Sequence, residues 1–284
     1  FAGVLENDHD AGQNYDGILN IAACVNTLMN NLNRFITDLY IWSSNEYNLV
    51  ELDGAYAGTS SIMPQKKNGY PFEVGIGRAG ETFGYYTALL STLVCGSSAF
   101  PIMRYAGEPY CGKAMNYAID VLDMMAPVMK TLILKKERME ELAGDYFAQS
   151  VDLANIITQA TDLPFRDSHH IVGRLVKYCN ENGLKPKDVT LELIKEIAAS
   201  IGFTNMDALT AEQVNKAMDV HHFVSSRGNI GGPAPESTAR QVKKQQEKLQ
   251  KDSLALQEEE QRIEACNVEL YSKARELAAT YKNN

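Results

Sequence analysis

The segment Gly58–Asn68, "GTSSIMPQKKN", brings two serines, a glutamine, two lysines and an asparagine into one short stretch. Hydroxyl, amide and ammonium groups this close together suit an anion. They can hold a carboxylate, and a lysine placed where negative charge develops can stabilise an enolate-like intermediate. The same composition also fits a solvated polar loop whose lysines only keep the surface soluble. Composition alone favours that second interpretation.

Long amphipathic helices surround this loop. Apolar residues from Ile18 to Trp42 recur in steps of three and four, which predicts a helix packed in a bundle. The same period from Met115 to Leu132 predicts a second long helix, kinked at Pro127. Residues 79–94 read as a third helix, and its glycines predict close helix contacts. The predicted seam of the first helix is Ile18, Ile21, Val25, Leu28, Leu32, Phe35, Leu39 and Trp42.

The last segment of the chain is the most regular. One apolar residue returns every seven positions through a charged background, which keeps a narrow stripe on a predicted helix over 237–281, with Ser237 or Thr238 as its N-cap. Such a stripe is too narrow for a core but wide enough to lie along another helix or another subunit. The residues of this stripe are Val242, Leu249, Leu256, Ile263, Leu270 and Leu277.

The shorter helical patterns after Gly144 differ in texture from the long helices before it. We therefore expect residues 1–143 to be part of a central helical-bundle domain and residues 144–284 to form a carboxy-terminal helical domain. No alternating strand pattern with hairpin turns is found. The predicted fold class is all-α.

Composition limits the possible functions. A net charge of -9 and a pI of about 5.1 argue against the basic surface that nucleic-acid binding requires. No apolar run reaches the roughly 20 residues of a membrane span. Five scattered cysteines without a CxxC pair predict reduced thiols in a cytoplasmic protein and no zinc site. The acidic start "FAGVLENDHD" predicts no signal peptide, and it lacks an initiator Met, which leaves open a longer polypeptide.

A resemblance to a known family favours the catalytic interpretation of the loop. "GTSSIMPQKKN" closely resembles the signature loop of the fumarase/aspartase superfamily, and its "SSIMPQKKN" core resembles the argininosuccinate lyase branch. The segments "YIWSSNEYNLVEL", "LPFRDSHHIVGRLV" and "VSSRGNIGGPAP" follow that branch in order. The resemblance covers almost the whole chain. It implies a long-helix bundle of the fumarase/aspartase type with a small carboxy-terminal helical domain.

The resemblance also implies a mechanism without metal or organic cofactor. A succinyl-amine would be split into fumarate and an amine, with Ser60 as the general base that removes the proton beside the carboxylate. Lys66 and Asn68 would stabilise the doubly charged aci-carboxylate that results. Ser61 and Gln65 would bind carboxylates or shape the loop.

Glu73 matches the family glutamate that pairs with a histidine held elsewhere in the site. Taken alone, it is also a favourable carboxylate at a helix N-terminus. The resemblance further implies a homotetramer in which each active site is shared between subunits. The amino-terminal half of such enzymes, which carries other substrate-binding segments, has no counterpart here, so this chain alone should be inactive.

Two departures from the family pattern concern the amine. The segment "FPIMRYAGEPYCGK" places Arg104, Gly107 and Pro109 where the family has tyrosine, aspartate and glutamine for a guanidinium group. Tyr15 in "DAGQNYD" replaces a substrate-contacting arginine. Release of arginine is therefore doubtful, and Arg104 suggests an acidic amine such as an aminopolycarboxylate, although a surface salt bridge fits Arg104 equally well.

These observations predict a fumarate-forming carbon–nitrogen lyase whose substrate is an N-substituted aspartate other than argininosuccinate. Two alternatives stay open: argininosuccinate lyase proper, and a non-catalytic structural bundle of the crystallin type. A coiled-coil interaction module built on the last helix is a third, weaker interpretation.

Overall fold

A computed structural model describes residue 3 and residues 5–63, 65–94 and 102–282 of the chain. The chain divides into two compact units, Phe1–Glu141 and Leu142–Asn284. The described residues are mainly helical, in agreement with the predicted all-α class.

The first unit is built on three long helices, α2, α3 and α4, which pack against one another. Met29, Ile36 and Phe72 lie in their common core, each at most 1% exposed. Full burial of one side chain of this size contributes roughly 1.5–3 kcal/mol. The core therefore holds rigidly the helix ends that flank the signature loop. The helices are α1 (Asp8–Gln13), α2 (Asp16–Trp42), α3 (Tyr70–Val94) and α4 (Glu108–Thr131), with a 3-10 helix at Ile102–Ala106. Helix α5 (Lys136–Asp145) begins in this unit and ends in the second one.

The predicted apolar seam of α2 is only partly buried in this chain. Leu39 is buried, and Ile18, Val25 and Leu32 are partly buried against the core. The other buried residues of the helix, Ala22, Met29 and Ile36, each follow a predicted seam residue by one position. The remaining seam residues lie on the surface of this chain, with exposed fractions between 40% and 48%. The exposed residues are Ile21, Leu28, Phe35 and Trp42, at intervals of seven.

Helix α4 shows the same division. Val121, Met125 and Val128 are buried against α2 and α3, whereas Met115 and Leu122 of the predicted seam are exposed. A stripe of large apolar residues left in water on a packed helix is unusual unless another surface covers it. Two of the three core helices carry such a stripe.

The prediction that the glycines of the third helix mark close contacts was wrong in position. A side-chain carbon added at Gly80 or Gly84 would meet open space within this chain. The close approach is instead at Gly75, where an added carbon would lie 2.8 Å from Cδ1 of Ile36 on α2. The absence of a side chain at Gly75 lets α2 and α3 approach closely next to the signature loop.

Short strands that the sequence analysis did not predict tie the connections of the first unit together. Two antiparallel pairs occur in the described residues, each only two residues long, which is too short for an alternating pattern to be visible. They join β1 (Val50–Glu51) to β4 (Ile133–Leu134) and β2 (Gly58–Thr59) to β3 (Lys67–Asn68).

The second unit has its own hydrophobic core. Leu153, Ile157, Ile171 and Ile194 are all fully buried in it. Thr190 and Thr210 cap two of its helices by accepting hydrogen bonds from backbone N–H groups. Its helices are α6 (Ser150–Thr161), α7 (Phe165–Glu181), α8 (Leu191–Ser200), α9 (Ala211–Met218), α10 (Val220–Ser225) and α11 (Pro235–Lys282), with a 3-10 turn at Pro186–Asp188.

Helix α11 begins earlier than predicted. Its first residue is Pro235, so Ser237 and Thr238 lie inside the helix and neither is the N-cap. Proline is favoured at the first helical position because its missing N–H has no intrahelical partner there. Ser237 is buried, and its hydroxyl donates a 3.1 Å hydrogen bond to the carbonyl of Gly228. No helix among the described residues combines the length and hydrophobicity needed to cross a bilayer.

Candidate active site

The signature loop is a hairpin held at both ends. β2 and β3 pair antiparallel, with Gly58 opposite Asn68 and Thr59 opposite Lys67. The chain then enters α3 at Tyr70, which puts Glu73 in the first turn of that helix. The predicted loop residues and Glu73 are therefore consecutive parts of one local structure.

Ser60 accepts two backbone hydrogen bonds from within this hairpin. Its Oγ lies 3.0 Å from the amide nitrogen of Met63 and 3.3 Å from that of Ile62. N–H dipoles directed at an oxygen favour negative charge on it. The arrangement therefore favours negative charge on the Ser60 oxygen.

A cavity of about 950 Å³ opens beside the hairpin. Gln65, Lys66, Asn68 and Glu73 all line it, so four of the predicted site residues share one space. Ser61 is exposed and Ser60 is half-buried, and neither lines this cavity. The remaining lining residues include Tyr40, Ser43, Ser44, Asn45, Glu46, Asn48, Glu51 and Lys67.

Glu73 has a partner that the sequence analysis did not identify. The hydroxyl of Tyr40, near the end of α2, donates a 3.2 Å hydrogen bond to Oε1 of Glu73. The negative charge of Glu73 raises the pKa of Tyr40, and the hydrogen bond acts in the same direction. Tyr40 thus holds the Glu73 carboxylate at the cavity wall. Helical periodicity gave no signal for it, because Tyr40 lies outside the predicted seam.

A second unpredicted feature is an ion triad centred on Glu51. Its two carboxylate oxygens are bonded to Nζ of Lys67 and to Nζ of Lys135. Hydrogen bonds from Lys135 and Lys67 lower the pKa of Glu51 to about 2. The triad joins the signature hairpin to the β1 and β4 pair. The charge of Lys67 is therefore balanced by Glu51, whereas the neighbouring Lys66 in the cavity does not take part in this triad.

Replacing Glu51 by glutamine should make the protein less stable, and the loss should depend on pH. Since the folded pKa of Glu51 is depressed, its contribution is present above the ordinary carboxyl pKa of roughly 4.3 and is lost as pH falls toward 2. The difference in Tm between the unmodified protein and Glu51→Gln should therefore shrink between pH 6 and pH 3, measured by circular dichroism. Glu46→Gln, at an exposed position on the same cavity, is the control. An unchanged difference across that range would contradict the assignment.

Of the two predicted amine-end residues, Tyr15 does not line this cavity. The hydroxyl of Tyr15 donates a 2.8 Å hydrogen bond to Oε1 of Glu108, at the start of α4. The backbone of Arg104 lies in the 3-10 helix Ile102–Ala106, and its side chain is outside the described residues. Tyr15 thus contacts the segment that holds the other departures from the family pattern.

Close packing against α3 explains why a glycine occupies position 107. Gly107 is buried, and a side-chain carbon added there would lie 2.2 Å from Oγ1 of Thr92 and 3.0 Å from Cδ1 of Leu89. An aspartate at this position would require Thr92 to move. Thr92 and Leu89 of α3 therefore pack closely against the start of α4 at Gly107.

The donor sets for a metal ion are limited. In the part of the chain that the structure describes, no three His, Cys, Asp or Glu side chains come together to hold one. The chemistry that the described cavity offers is acid–base and electrostatic: three carboxylates, two lysines and several amides and hydroxyls.

Comparison with known families agrees with this local structure. The family model described as "Lyase" matches residues 1–84, and the one described as "Argininosuccinate lyase C-terminal" matches residues 147–225. Argininosuccinate lyase of Pelotomaculum thermopropionicum is 34% identical over 253 residues, which are 88% of this chain and 52% of that protein. The enzyme of the same name from Methanothrix thermoacetophila is 31% identical over 269 residues, covering 94% of this chain and 54% of the relative.

Solved structures give the same assignment. EDDS lyase in complex with formate superposes with a TM-score of 0.80 at 28% sequence identity, over 89% of this chain and 50% of that one. Class II fumarase from Schistosoma mansoni, at 18% identity and a TM-score of 0.54, shares the fold.

The matches cover the signature hairpin, the helical bundle and the second unit, but the chain spans only about half the length of these relatives. Within that half, sequence and fold point the same way. The chain belongs to the fumarase/aspartase superfamily, in its argininosuccinate lyase-like branch.

Proposed function

We propose that the complete enzyme is a carbon–nitrogen lyase that splits an N-substituted aspartate into fumarate and an amine. The observation that carries the proposal is the hairpin itself: Ser60 accepts two amide hydrogen bonds, and Lys66 and Asn68 line the adjoining cavity. A purely structural bundle has no need of this combination. The fumarate-bound structure of EDDS lyase, a 28% identical relative, supports fumarate as the product.

The chemistry follows from these positions. The Ser60 alkoxide takes the proton from the carbon beside the succinyl carboxylate, and the electron pair moves into that carboxylate. Lys66 and Asn68 oppose the double negative charge of the aci-carboxylate. As the pair returns to form the double bond of fumarate, the carbon–nitrogen bond breaks and nitrogen leaves with its electrons and a proton from a general acid. Gln65, which lines the cavity, binds a carboxylate of the substrate, and Ser61 binds a carboxylate or shapes the loop.

The general acid is assigned to the half of the enzyme that this chain does not contain. Glu73, held by Tyr40 at the cavity wall, is placed to orient a histidine supplied from there. A carboxylate that accepts from one ring N–H of a histidine fixes the tautomer of the other nitrogen. Glu73 is in this proposal a residue that positions the proton donor.

The leaving amine is proposed to be acidic and not arginine. The family's guanidinium-binding residues are replaced by Arg104, Gly107 and Pro109, and Tyr15 is engaged with Glu108. An arginine at position 104 matches a carboxylate on the amine, as in an aminopolycarboxylate.

The site is proposed to be completed by other copies of the subunit in a homotetramer. The exposed apolar stripes of α2 and α4 support this assembly, because they are large, regular and unlike the surface of a monomer. An interface that buries Phe35 and Trp42 would also lie next to the cavity, because Tyr40 and Ile41 of the same helix line the cavity.

A fumarate assay on the intact protein tests the proposal. Fumarate is followed by its ultraviolet absorbance with a panel of N-substituted aspartates, including EDDS, other N-carboxyalkyl aspartates and argininosuccinate. We expect turnover with carboxylated amines at least tenfold above that with argininosuccinate. Faster turnover of argininosuccinate would identify argininosuccinate lyase proper. No fumarate from any member of the panel would favour the non-catalytic bundle.

A further inference from the structure

Helix α11 carries an apolar stripe that nothing in this chain covers among the described residues. Every residue from Thr238 to Tyr281 is exposed. The stripe, defined as Val242, Leu249, Leu256, Ile263, Leu270 and Leu277, has exposed fractions between 48% and 67%. Six large apolar side chains in strict register on one face of a helix are typical of a coiled-coil seam.

We propose that the stripe pairs with α11 of a second copy of this chain, in an antiparallel two-stranded coiled coil. The heptad period predicts a left-handed supercoil in which each stripe residue faces a second set of seam positions. These partner positions lie three residues before each stripe residue and are small or polar. They are Ala239, Gln246, Ser253, Glu260, Asn267 and Ala274, followed by Tyr281 after the last stripe residue.

A parallel pair is disfavoured by like charges at the centre of the helix. In register, parallel helices place identical positions opposite each other, so Glu260 would face Glu260 of the second copy in the seam. Glu259 would at the same time lie beside Glu264 of the second copy on both flanks of the seam. Several carboxylates in one partly desolvated region repel strongly.

An antiparallel pair takes Glu260 out of direct register with acidic residues of the second copy. In the register where Val242 lies level with Tyr281 of the second copy, Glu260 faces Ile263. Asp252 then lies beside Lys273 of the second copy, and the two-fold symmetry makes this ion pair twice. In the same register every stripe residue faces a partner position of the other helix, over about 40 residues or about 60 Å at 1.5 Å per residue.

The existing bonds of α11 are compatible with this pairing. Nζ of Lys273 is 2.6 Å from Oε1 of Glu269 on the same helix, and an ammonium group has further hydrogens for Asp252 of the second copy. Arg262 is bonded to Glu259 on the flank of the seam, which reduces the charge of the acidic centre.

Cysteine cross-linking in the intact protein tests both the pairing and its direction. The background replaces every cysteine except the buried Cys111 and Cys179 by serine. Asp252→Cys with Lys273→Cys reports the antiparallel register, because only there do these positions meet. Gln246→Cys alone reports a parallel register, since identical seam positions meet only in that case. A short bis-maleimide is added, and linked dimers are measured on denaturing gels.

We expect the double variant to give linked dimers and Gln246→Cys to give at least tenfold fewer. Abundant dimers from Gln246→Cys would overturn the antiparallel register. Absence of dimers from both variants would overturn the pairing, since another segment would then cover the stripe. Equal yields from both would indicate random collision and would overturn it as well. None of these outcomes depends on whether the enzyme forms fumarate.

A second comparison uses matched apolar residues. Leu256→Asp with Ile263→Asp, in the double-cysteine protein, should lower the linked dimer at least tenfold. Leu254→Asp with Val268→Asp changes residues of similar size and exposure that lie off the stripe, and should leave the yield within about twofold. An equal effect of the two pairs would contradict pairing through the stripe.

Discussion

Replacing Ser60 by alanine should lower kcat of the intact enzyme by about 10²- to 10⁴-fold, the range expected when a positioned general base is removed. The change deletes the oxygen that accepts the amide hydrogen bonds of Met63 and Ile62. Substrate binding should change much less, because Gln65 and Asn68 remain in place at the cavity wall. Steady-state fumarate kinetics separates the two effects, since kcat falls while KM stays within a few-fold.

The control for this variant is Ser91→Ala, the same chemical change at an exposed position of α3. Its kcat should equal that of the unmodified enzyme, and circular dichroism should show both variants folded. A Ser60→Ala enzyme with kcat within tenfold of the original would exclude Ser60 as the base.

Replacing Lys66 by methionine should lower kcat by about 10²- to 10³-fold, the usual effect of removing one donor to developing negative charge. Methionine keeps most of the length and apolar stem of lysine, so the charge is the main loss. Lys67→Met makes the same change one residue along the hairpin. Its effect should be at least tenfold smaller, because the ammonium of Lys67 is already bonded to Glu51.

Comparing Lys66→Met with Lys67→Met distinguishes a direct contact between Lys66 and the developing negative charge from a general effect of positive charge in the cavity. Both lysines line the cavity, so a site that needs only overall positive charge would lose similar activity in both variants. Equal losses, measured as kcat at saturating substrate, would contradict the assignment of Lys66 to the aci-carboxylate. Repeating the assays at higher salt adds a check, since screening weakens a general field more than a direct contact.

The helices of this protein could be predicted because apolar residues recur along the sequence with the helical period. The seam from Ile18 to Trp42 predicted α2, which the structure gives as Asp16–Trp42. Which residues of α2 are buried could not be predicted, because Met29 and Ile36 follow Leu28 and Phe35 directly and are as apolar. The choice between two adjacent apolar residues depends on the neighbouring elements, and in this chain Leu28 and Phe35 keep exposed fractions of 40% and 46%.

The start of α11 was predicted too late because the N-cap preference of Ser237 and Thr238 was given more weight than the helix-start preference of Pro235. Ser237 and Thr238 are good N-cap residues, and the prediction used them. The preference of Pro235 for the first helical position is equally physical, and in the structure it decides where the helix begins.

The candidate site was predictable only as far as its residues are neighbours in sequence. Gln65, Lys66, Asn68 and Glu73 lie within one short segment and do share a cavity. Tyr40 and Lys135 could not be found this way, because their contacts with Glu73 and Glu51 join residues that are distant along the chain. Such contacts are set by the packing of α2 and α4, which no local pattern encodes.

The two hydrogen bonds from backbone N–H groups to the Ser60 oxygen both lie within the loop. Both donors, Ile62 and Met63, belong to the same turn as the acceptor, whereas the base of the hairpin is formed by the two strands, where Gly58 pairs with Asn68. A movement of the turn about the base of the hairpin would therefore leave both hydrogen bonds to the Ser60 oxygen in place. In the proposed mechanism Ser60 then meets the substrate with these dipoles already aligned, and little reorganisation energy is needed for the proton transfer.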